Sequence, residues 1–410
     1  MQELARRRQW GIFPAVTWRE LLGVRAFRRL WLGDAVSLLG DWFTYVAVGT
    51  LAVAEGSLWA VAMVLLAHTL PRALFSPMAG RLADRHDRRT IVVTFSVLRA
   101  VIVVAMIAAV QIEAMAAVQV LLFIRMALGA FVDPAAGAAL PQIVPTAGLG
   151  PANALLGATW SVMFAVGVGL GGLVTAQVGT TGALAIDAAT FLIAAGIFAS
   201  LPRLPPGERQ VDDRGRLADA WRIAWTEPPI LQALLAKVPL AFASGGAWIW
   251  LHALAGQQRL GEAALALGLL HAVRGVGTGV GPLLLMWIPG LRGTPRGMHV
   301  GAWLGFVAIA VFVAAPSMEV TLIAAALWGA GVGSNWVTAS TRVQTLTPNH
   351  ALGRIGGISL MIVTATQSLG GVLGALIAER SVSAASSGWL GLAGGVLLWL
   401  AIEGLVRARR

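Results

Sequence analysis

Apolar runs of about twenty residues alternate with short polar breaks along almost the whole chain. A run of that length matches a helix crossing the roughly 30 Å hydrocarbon core of a bilayer. Twelve are predicted, at 32–54, 58–80, 90–111, 115–138, 153–177, 180–201, 231–255, 263–288, 298–315, 319–341, 354–378 and 384–406. The longest break, 202–230, carries Pro202, Pro205, Pro206, Gly207 and mixed charge, as a linker does. The expected organisation is a surface segment over 1–30, a six-helix half over 31–201, a linker over 202–230 and a second half over 231–410. Trp10, Phe13 and Trp18 among seven arginines suit a segment lying on the membrane surface. In the linker, Leu217, Trp221 and Trp225 recur every four residues beside Arg216 and Arg222, which predicts a second interfacial helix.

The two halves repeat at an offset of 203 residues. His68 meets His271, Pro145 meets Pro348, Gly150 meets Gly353, Gly167 meets Gly370 and Gly171 meets Gly374. An offset of six spans is even, so both halves share one orientation, as in parallel-repeat transporters. The fold class expected is an all-α membrane protein of twelve transmembrane helices in two pseudo-symmetric six-helix halves.

Composition agrees with lipid as the solvent. The 410 residues are 57% apolar and only 12% charged, against about 25% charged in soluble domains. The chain has no cysteine, so disulfides, thiolate metal sites and cysteine nucleophiles are excluded. Its single lysine, Lys237, lies outside any G-x-x-x-x-G-K-[ST] loop, and no H-E-x-x-H occurs. The glycine pattern at Gly167, Gly169 and Gly172 sits inside an apolar run with no strand before it, so it reads as helix packing. No cofactor, metal or enzymatic activity is expected. The net charge of +11 comes from arginine: with the N-terminus inside, 22 arginines fall in cytoplasmic segments and two, Arg259 and Arg380, outside. That asymmetry predicts a bacterial cytoplasmic-membrane protein with both termini in the cytoplasm, and argues against nucleic-acid binding.

The break after the second run reads Gly80-Arg81-Leu82-Ala83-Asp84-Arg85-His86-Asp87-Arg88-Arg89. It resembles the signature loop of the major facilitator superfamily, with Asp87 in place of the second glycine. Arg125-Met126-Ala127-Leu128-Gly129 is similar to that family's R-x-x-Q-G pattern, with Leu128 for glutamine. Gly167 to Gly172 is similar to its antiporter motif without the proline. Phe27-Arg28-Arg29-Leu30-Trp31-Leu32-Gly33 and Leu39-Gly40-Asp41-Trp42 resemble the macrolide-efflux-like branch of the drug:proton antiporters. The resemblance implies alternating access, with the first, fourth, seventh and tenth helices around a central cavity. It also implies that Gly80, Asp84, Arg85, Arg88 and Arg89 act in conformational change.

Charge inside a membrane costs about 2.5–3.5 kcal/mol or more per group, so each needs a partner, a wet cavity or a function. Asp34, Ser37, Asp41 and Tyr45 share one helix face, as do Arg125, Gly129 and Asp133. Lys237, Ser244 and Trp248 lie along the seventh stretch, and Trp328, Asn335 and Arg342 step by seven along the tenth. Arg72, Arg99, Asp187 and Arg274 are further charges in other spans. Asp41 and Arg125 fall at comparable depth, as a proton-coupling pair assisted by Asp34 or as a static pair. Tyr45, Trp42, Ser244, Trp248, Trp328 and Asn335 are candidate cargo contacts, with helix packing as the alternative for the tryptophans. Asp133, Lys237 and Arg342 are candidate gating residues. Asp34 and Lys237, equivalent under the repeat, could bridge the halves near the cytoplasm, or Lys237 could snorkel to the surface.

The expected function is proton-coupled efflux of a hydrophobic or amphipathic small molecule by a monomer working with protons and membrane lipid. Uncoupled lipid or lysolipid flipping and a non-transporting receptor or scaffold are the alternatives.

Overall fold

The computed structural model describes residues 18–83, 85–145, 148–205, 217–257, 262–291, 294–381 and 383–409, and among these all regular structure is helical. Asp84, the linker core and the segment with Trp10 and Phe13 lie outside the described residues. A short helix α1 (Trp18–Gly23) leads into α2 (Arg25–Ala54), α3 (Leu58–Ala83), α4 (Arg88–Gln111), α5 (Met115–Ile143) and α6 (Leu149–Ala199). The linker helix α7 (Leu217–Thr226) precedes α8 (Pro228–Leu235), α9 (Val238–Gly256), α10 (Ala263–Met286), α11 (Pro295–Ala314), α12 (Met318–Leu346), α13 (Asn349–Arg380) and α14 (Ala385–Ala408).

Among the described residues eleven segments are long and apolar enough to span a membrane, and one of them is a pair. The 51 residues of α6 would run about 77 Å if straight, more than twice the hydrocarbon thickness. The helix turns at Gly179, whose φ of 72° and ψ of 175° belong to a region only glycine enters readily. Trp160 and Phe164 before the turn pack on Trp42 of α2, and Phe198 after it reaches Gly33 near the start of α2. Two antiparallel spans thus lie against one helix, which gives twelve crossings. The seventh predicted stretch is broken instead into α8 and α9. Pro239, in the first turn of α9, has no N–H with which to continue the helix from α8. The Asn335 amide donates to the Ala236 carbonyl that the break frees (3.3 Å) and to the Met298 carbonyl (3.1 Å).

The 203-residue repeat is reproduced in space. Gly171 meets the α2 backbone, with its added Cβ position 3.0 Å from the Trp42 carbonyl. Its equivalent Gly374 meets the α9 backbone at Gly246, 3.2 Å from the Cα. These small residues let helices approach where lipid gives no hydrophobic drive to associate. The glycines divide between contacts within a half and contacts between the halves. Gly167, Gly171, Gly370 and Gly374 pack inside their own halves, as do Gly277, Gly281, Gly329 and Gly333 between α10 and α12. One inter-half crossing is that of α6 and α10, where Gly172 and Gly268 face each other with backbone atoms 2.8–2.9 Å from the added Cβ positions, flanked by Gly275 and Gly279.

The core is split unevenly. One apolar cluster takes side chains from both halves, from Trp42 and Leu65 to Trp248 and Leu267. Two smaller clusters each belong to one half: one around Phe27, Leu140 and Phe198, the other around Ile230, Met298 and Ile355. Hydrogen bonds between the halves follow the same division: Ser57 and the Trp59 N–H donate to the Glu379 carboxylate at 2.9 and 2.8 Å, and the Thr69 and Ser368 hydroxyls meet at 2.7 Å. Toward the arginine-rich end, Leu74, Met78, Val162 and Met361 are exposed. The hydrogen bonds between the halves thus gather toward the far end, and the arginine-rich end is the more open of the two.

Candidate functional site

Four charges from four helices converge at mid-depth of the first half. Asp41 Oδ1 on α2 accepts hydrogen bonds from Arg99 of α4 and from Arg125 of α5, the latter at 2.7 Å. The same Arg125 Nη2 donates to Asp187 Oδ2 on α6 at 2.8 Å, and the Thr44 hydroxyl donates to that oxygen at 2.5 Å. Arg99 also donates to the Ser37 hydroxyl at 3.1 Å, and its guanidinium lies 3.9 Å over the Phe191 ring. Two cations and two anions make the group neutral, which is what the low-dielectric interior demands. Arg125 and Asp187 are fully enclosed, whereas the Asp41 side chain is 11% exposed. Asp41 is therefore the member that water can reach.

The spacing-based pairing of Asp41 with Arg125 is found, and Arg99 and Asp187 complete it. Those two stood outside the predicted site because each is a lone charge on its helix with no periodic partner. Neutrality was the available signal: Asp41 against one arginine left a second acid and a second arginine at matching depth unpaired.

The second half carries the same contact without charge. Ser244 and Trp328 occupy the repeat positions of Asp41 and Arg125, and the Trp328 indole donates to the Ser244 hydroxyl at 3.0 Å. Trp328 is fully buried and Asn335 nearly so, so neither lines the open end in this conformation. Trp42, also buried, packs against Gly167 and Phe164. In this conformation the two tryptophans are packed between helices and Asn335 caps the break before α9.

At the far side of the network the halves meet about a pseudo-twofold axis. Tyr45 and Trp248, 203 positions apart, are repeat equivalents that touch: the indole donates to the phenol oxygen at 2.5 Å. His271 Nε2 lies 3.3 Å from the same oxygen, and His68, the repeat equivalent of His271, stacks edge-on to the Tyr45 ring at 5.0 Å. His271 Nδ1 faces an Arg274 N–H at 3.4 Å and so accepts, which leaves Nε2 to carry the proton and donate to Tyr45. His252 Nδ1 bonds the Trp248 carbonyl at 3.0 Å, and its Nε2 edge lies against Gly49, its own repeat equivalent. This buried plug closes the far end one helical turn from Asp41.

The remaining predicted residues spread over the open end. Arg72 and Asp133 pair loosely at 3.8 Å. Asp34 and Lys237 form no ion pair with each other among the described residues; the Lys237 ammonium lies 4.6 Å over the Trp336 ring and 3.4 Å from the Ser340 hydroxyl. Arg342 is half-buried near the end of α12. In the signature segment, Gly80 lies in the last turn of α3, Arg85 is exposed and Arg89 lies in the first turn of α4. Arg88 donates to the Pro205 carbonyl at 2.8 Å. Asp87, the departure from the family pattern, accepts from the Thr90 N–H as an N-cap (3.1 Å) and from the Leu204 N–H (3.0 Å). The loop thus grips the exit of α6 into the linker.

Residues 30–375 match the family model described as Major Facilitator Superfamily. The chain belongs to the major facilitator superfamily. Among curated relatives, this major facilitator protein is 25% identical over 334 residues to "Putative bacilysin exporter BacE" of Bacillus amyloliquefaciens, covering 80% of this chain and 83% of that one. It is 34% identical over 122 residues to macrolide efflux protein A of Streptococcus pyogenes, covering 29% and 30%. Among solved structures it resembles the nucleoside transporter NupG, with a TM-score of 0.72 at 15% identity over 92% of this chain and 99% of the other. It likewise resembles a bacterial homolog of the lysosomal transporter Spinster in an inward-facing, unoccupied conformation, with a TM-score of 0.69 at 15% identity over 94% and 97%. The protein is an integral membrane transporter of the major facilitator fold.

Proposed function

We propose that this transporter exports a hydrophobic or amphipathic small molecule across the bacterial cytoplasmic membrane against inward proton flow. The observation that carries the reading is the neutral buried network Asp41–Arg99–Arg125–Asp187 with Asp41 alone at its wet edge. Protonating Asp41 leaves two guanidinium groups facing one carboxylate, an excess positive charge that a closed interior resists. Loading and releasing a proton there would therefore bias the halves between arrangements, and a coupling ion must do that. Tyr45 lies on the same face one turn further on, so the charge change is made next to the plug.

The arginine asymmetry supports a cytoplasmic position for the open end, and with it an inward-facing state with both termini inside. Asp34 and Lys237 would then be gate residues caught apart. The printed names of the two curated relatives, an exporter and an efflux protein, agree with export. The test is flux in proteoliposomes from a panel of amphipathic compounds, macrolides included, with an interior pH dye. Export-direction cargo flux should move protons the other way and should follow an imposed pH step. Cargo flux indifferent to that step overturns the coupling and favours uncoupled movement of the cargo.

A further inference from the structure

Arg274 is a cation in the membrane interior that faces no carboxylate among the described residues. The contrast with the other half is sharp. Arg72 faces Asp133, Arg99 faces Asp41, and Arg125 faces Asp41 and Asp187. Among the described residues Arg274 forms no ion pair. The sequence explains why: between residues 263 and 378 the only acidic residue is Glu319, in the first turn of α12 and away from the interior. Aromatic groups surround the guanidinium instead. Its Cζ lies 4.9 Å from the Trp328 ring and 5.2 Å from the Phe164 ring, and one N–H reaches His271 Nδ1 at 3.4 Å. These rings come from α12, α6 and α10, so the cation sits where both halves meet, one turn on the open side of the plug formed by His271 and Tyr45.

We infer that Arg274 is the anion-recognising residue of the cargo site, and that the preferred cargo carries a carboxylate or other anionic group on an aromatic or otherwise apolar body. The inference rests on the transport reading given above and narrows its substrate class. A guanidinium left without an anion in this setting is costly, and a ligand anion that satisfies it gains a charge-assisted, two-pronged interaction. The N-terminal half, whose interior Arg72, Arg99 and Arg125 each face a carboxylate, would keep the proton function, while the C-terminal half reads the cargo.

Matched probes test this: 1-naphthoate and 1-naphthamide, indole-3-acetate and indole-3-acetamide, and dansyl-phenylalanine and its methyl ester. Binding is read on the purified full-length protein as thermal stabilisation at fixed pH, with no gradient present. The carboxylates should bind wild type at least about tenfold more tightly than their neutral partners, the worth of one charge-assisted hydrogen bond. Arg274→Gln should erase that preference, and Arg274→Lys should keep part of it. No carboxylate-specific stabilisation across the set up to tens of millimolar, or a preference that survives in Arg274→Gln with its fold intact, overturns the assignment. If Asp41→Asn binds the carboxylates more tightly while wild type does not prefer them, Arg274 belongs to the charge network instead and the assignment is again wrong. Because no gradient is applied, failure here leaves proton coupling standing, and failure of coupling leaves this preference standing.

Discussion

Replacing Asp41 with asparagine removes one of two anions from an enclosed group of four charges. Asp41 Oδ1 accepts from both Arg99 and Arg125, and Asp187 reaches only Arg125. The variant therefore strands Arg99 with the Ser37 hydroxyl and the Phe191 ring as its remaining partners. Breaking a buried pair by deleting one partner costs about 3–5 kcal/mol, because the surviving charge stays desolvated. Removing the matching positive charge should recover most of that loss. Methionine at 99 keeps an unbranched side chain against Phe191, so Asp41→Asn/Arg99→Met should be nearer to wild type than either single variant, with a coupling energy of about 2–3 kcal/mol. Stability is read by thermal and denaturant unfolding in detergent, and function by pH-driven flux in proteoliposomes. The two readouts should separate: the double variant regains stability but remains uncoupled, because the carboxylate that water reaches is gone. Independent, additive effects of the two substitutions would refute the reasoning about neutrality. Full pH-driven transport by Asp41→Asn would refute the role of Asp41.

Other substitutions test other parts. Tyr45→Phe removes the oxygen that accepts from Trp248 and His271, and leaves a buried indole N–H without a partner; the plug should weaken by about 1–3 kcal/mol, read as a roughly tenfold or greater rise in passive proton leak through vesicles. An unchanged leak would mean that the plug does not close the path. Gly179→Ala places a side chain at a φ of 72° in the tight turn of α6 and should lower stability by about 1–3 kcal/mol with coupling intact; wild-type stability would contradict the turn. Cysteines at 34 and 237 should cross-link only when the open end has closed, so the yield should rise with conditions that favour the opposite state. A yield that stays at zero under every condition excludes the Asp34–Lys237 gate.

The fold was largely legible because its signals are long. Twelve apolar runs, a single long break and a repeat at one offset survive errors of a few residues at each boundary. The turn at Gly179 was readable as two stretches, 153–177 and 180–201, that one continuous helix could not accommodate. The break before α9 was not read, although Pro239 announced it, because apolar character runs through it unchanged. In the site, face periodicity found Asp41 and Arg125 but could not find Arg99 and Asp187, since one charge on a helix has no period. Tyr45 and Trp248 were singled out as separate cargo contacts. The repeat held more than that: residues at the same register in both halves, both facing the axis, must come close to each other. Arg274 was seen as a buried charge, and only the geometry showed that its surroundings are aromatic.

The central claim is that two rigid halves rock about the Tyr45–Trp248 axis, opening one end as the other closes. The chain contains no cysteine, so paired spin labels can be placed without removing native ones. Leu74→Cys with Met361→Cys reports the open end, and Glu55→Cys with Gln257→Cys reports the joined end; all four positions are exposed. Pulsed electron–electron distance measurements at two pH values should show the first distance shortening as the second lengthens, with both shifts absent in Asp41→Asn. Two distances that stay fixed at both pH values, or that change in the same direction, would contradict alternating access driven from Asp41.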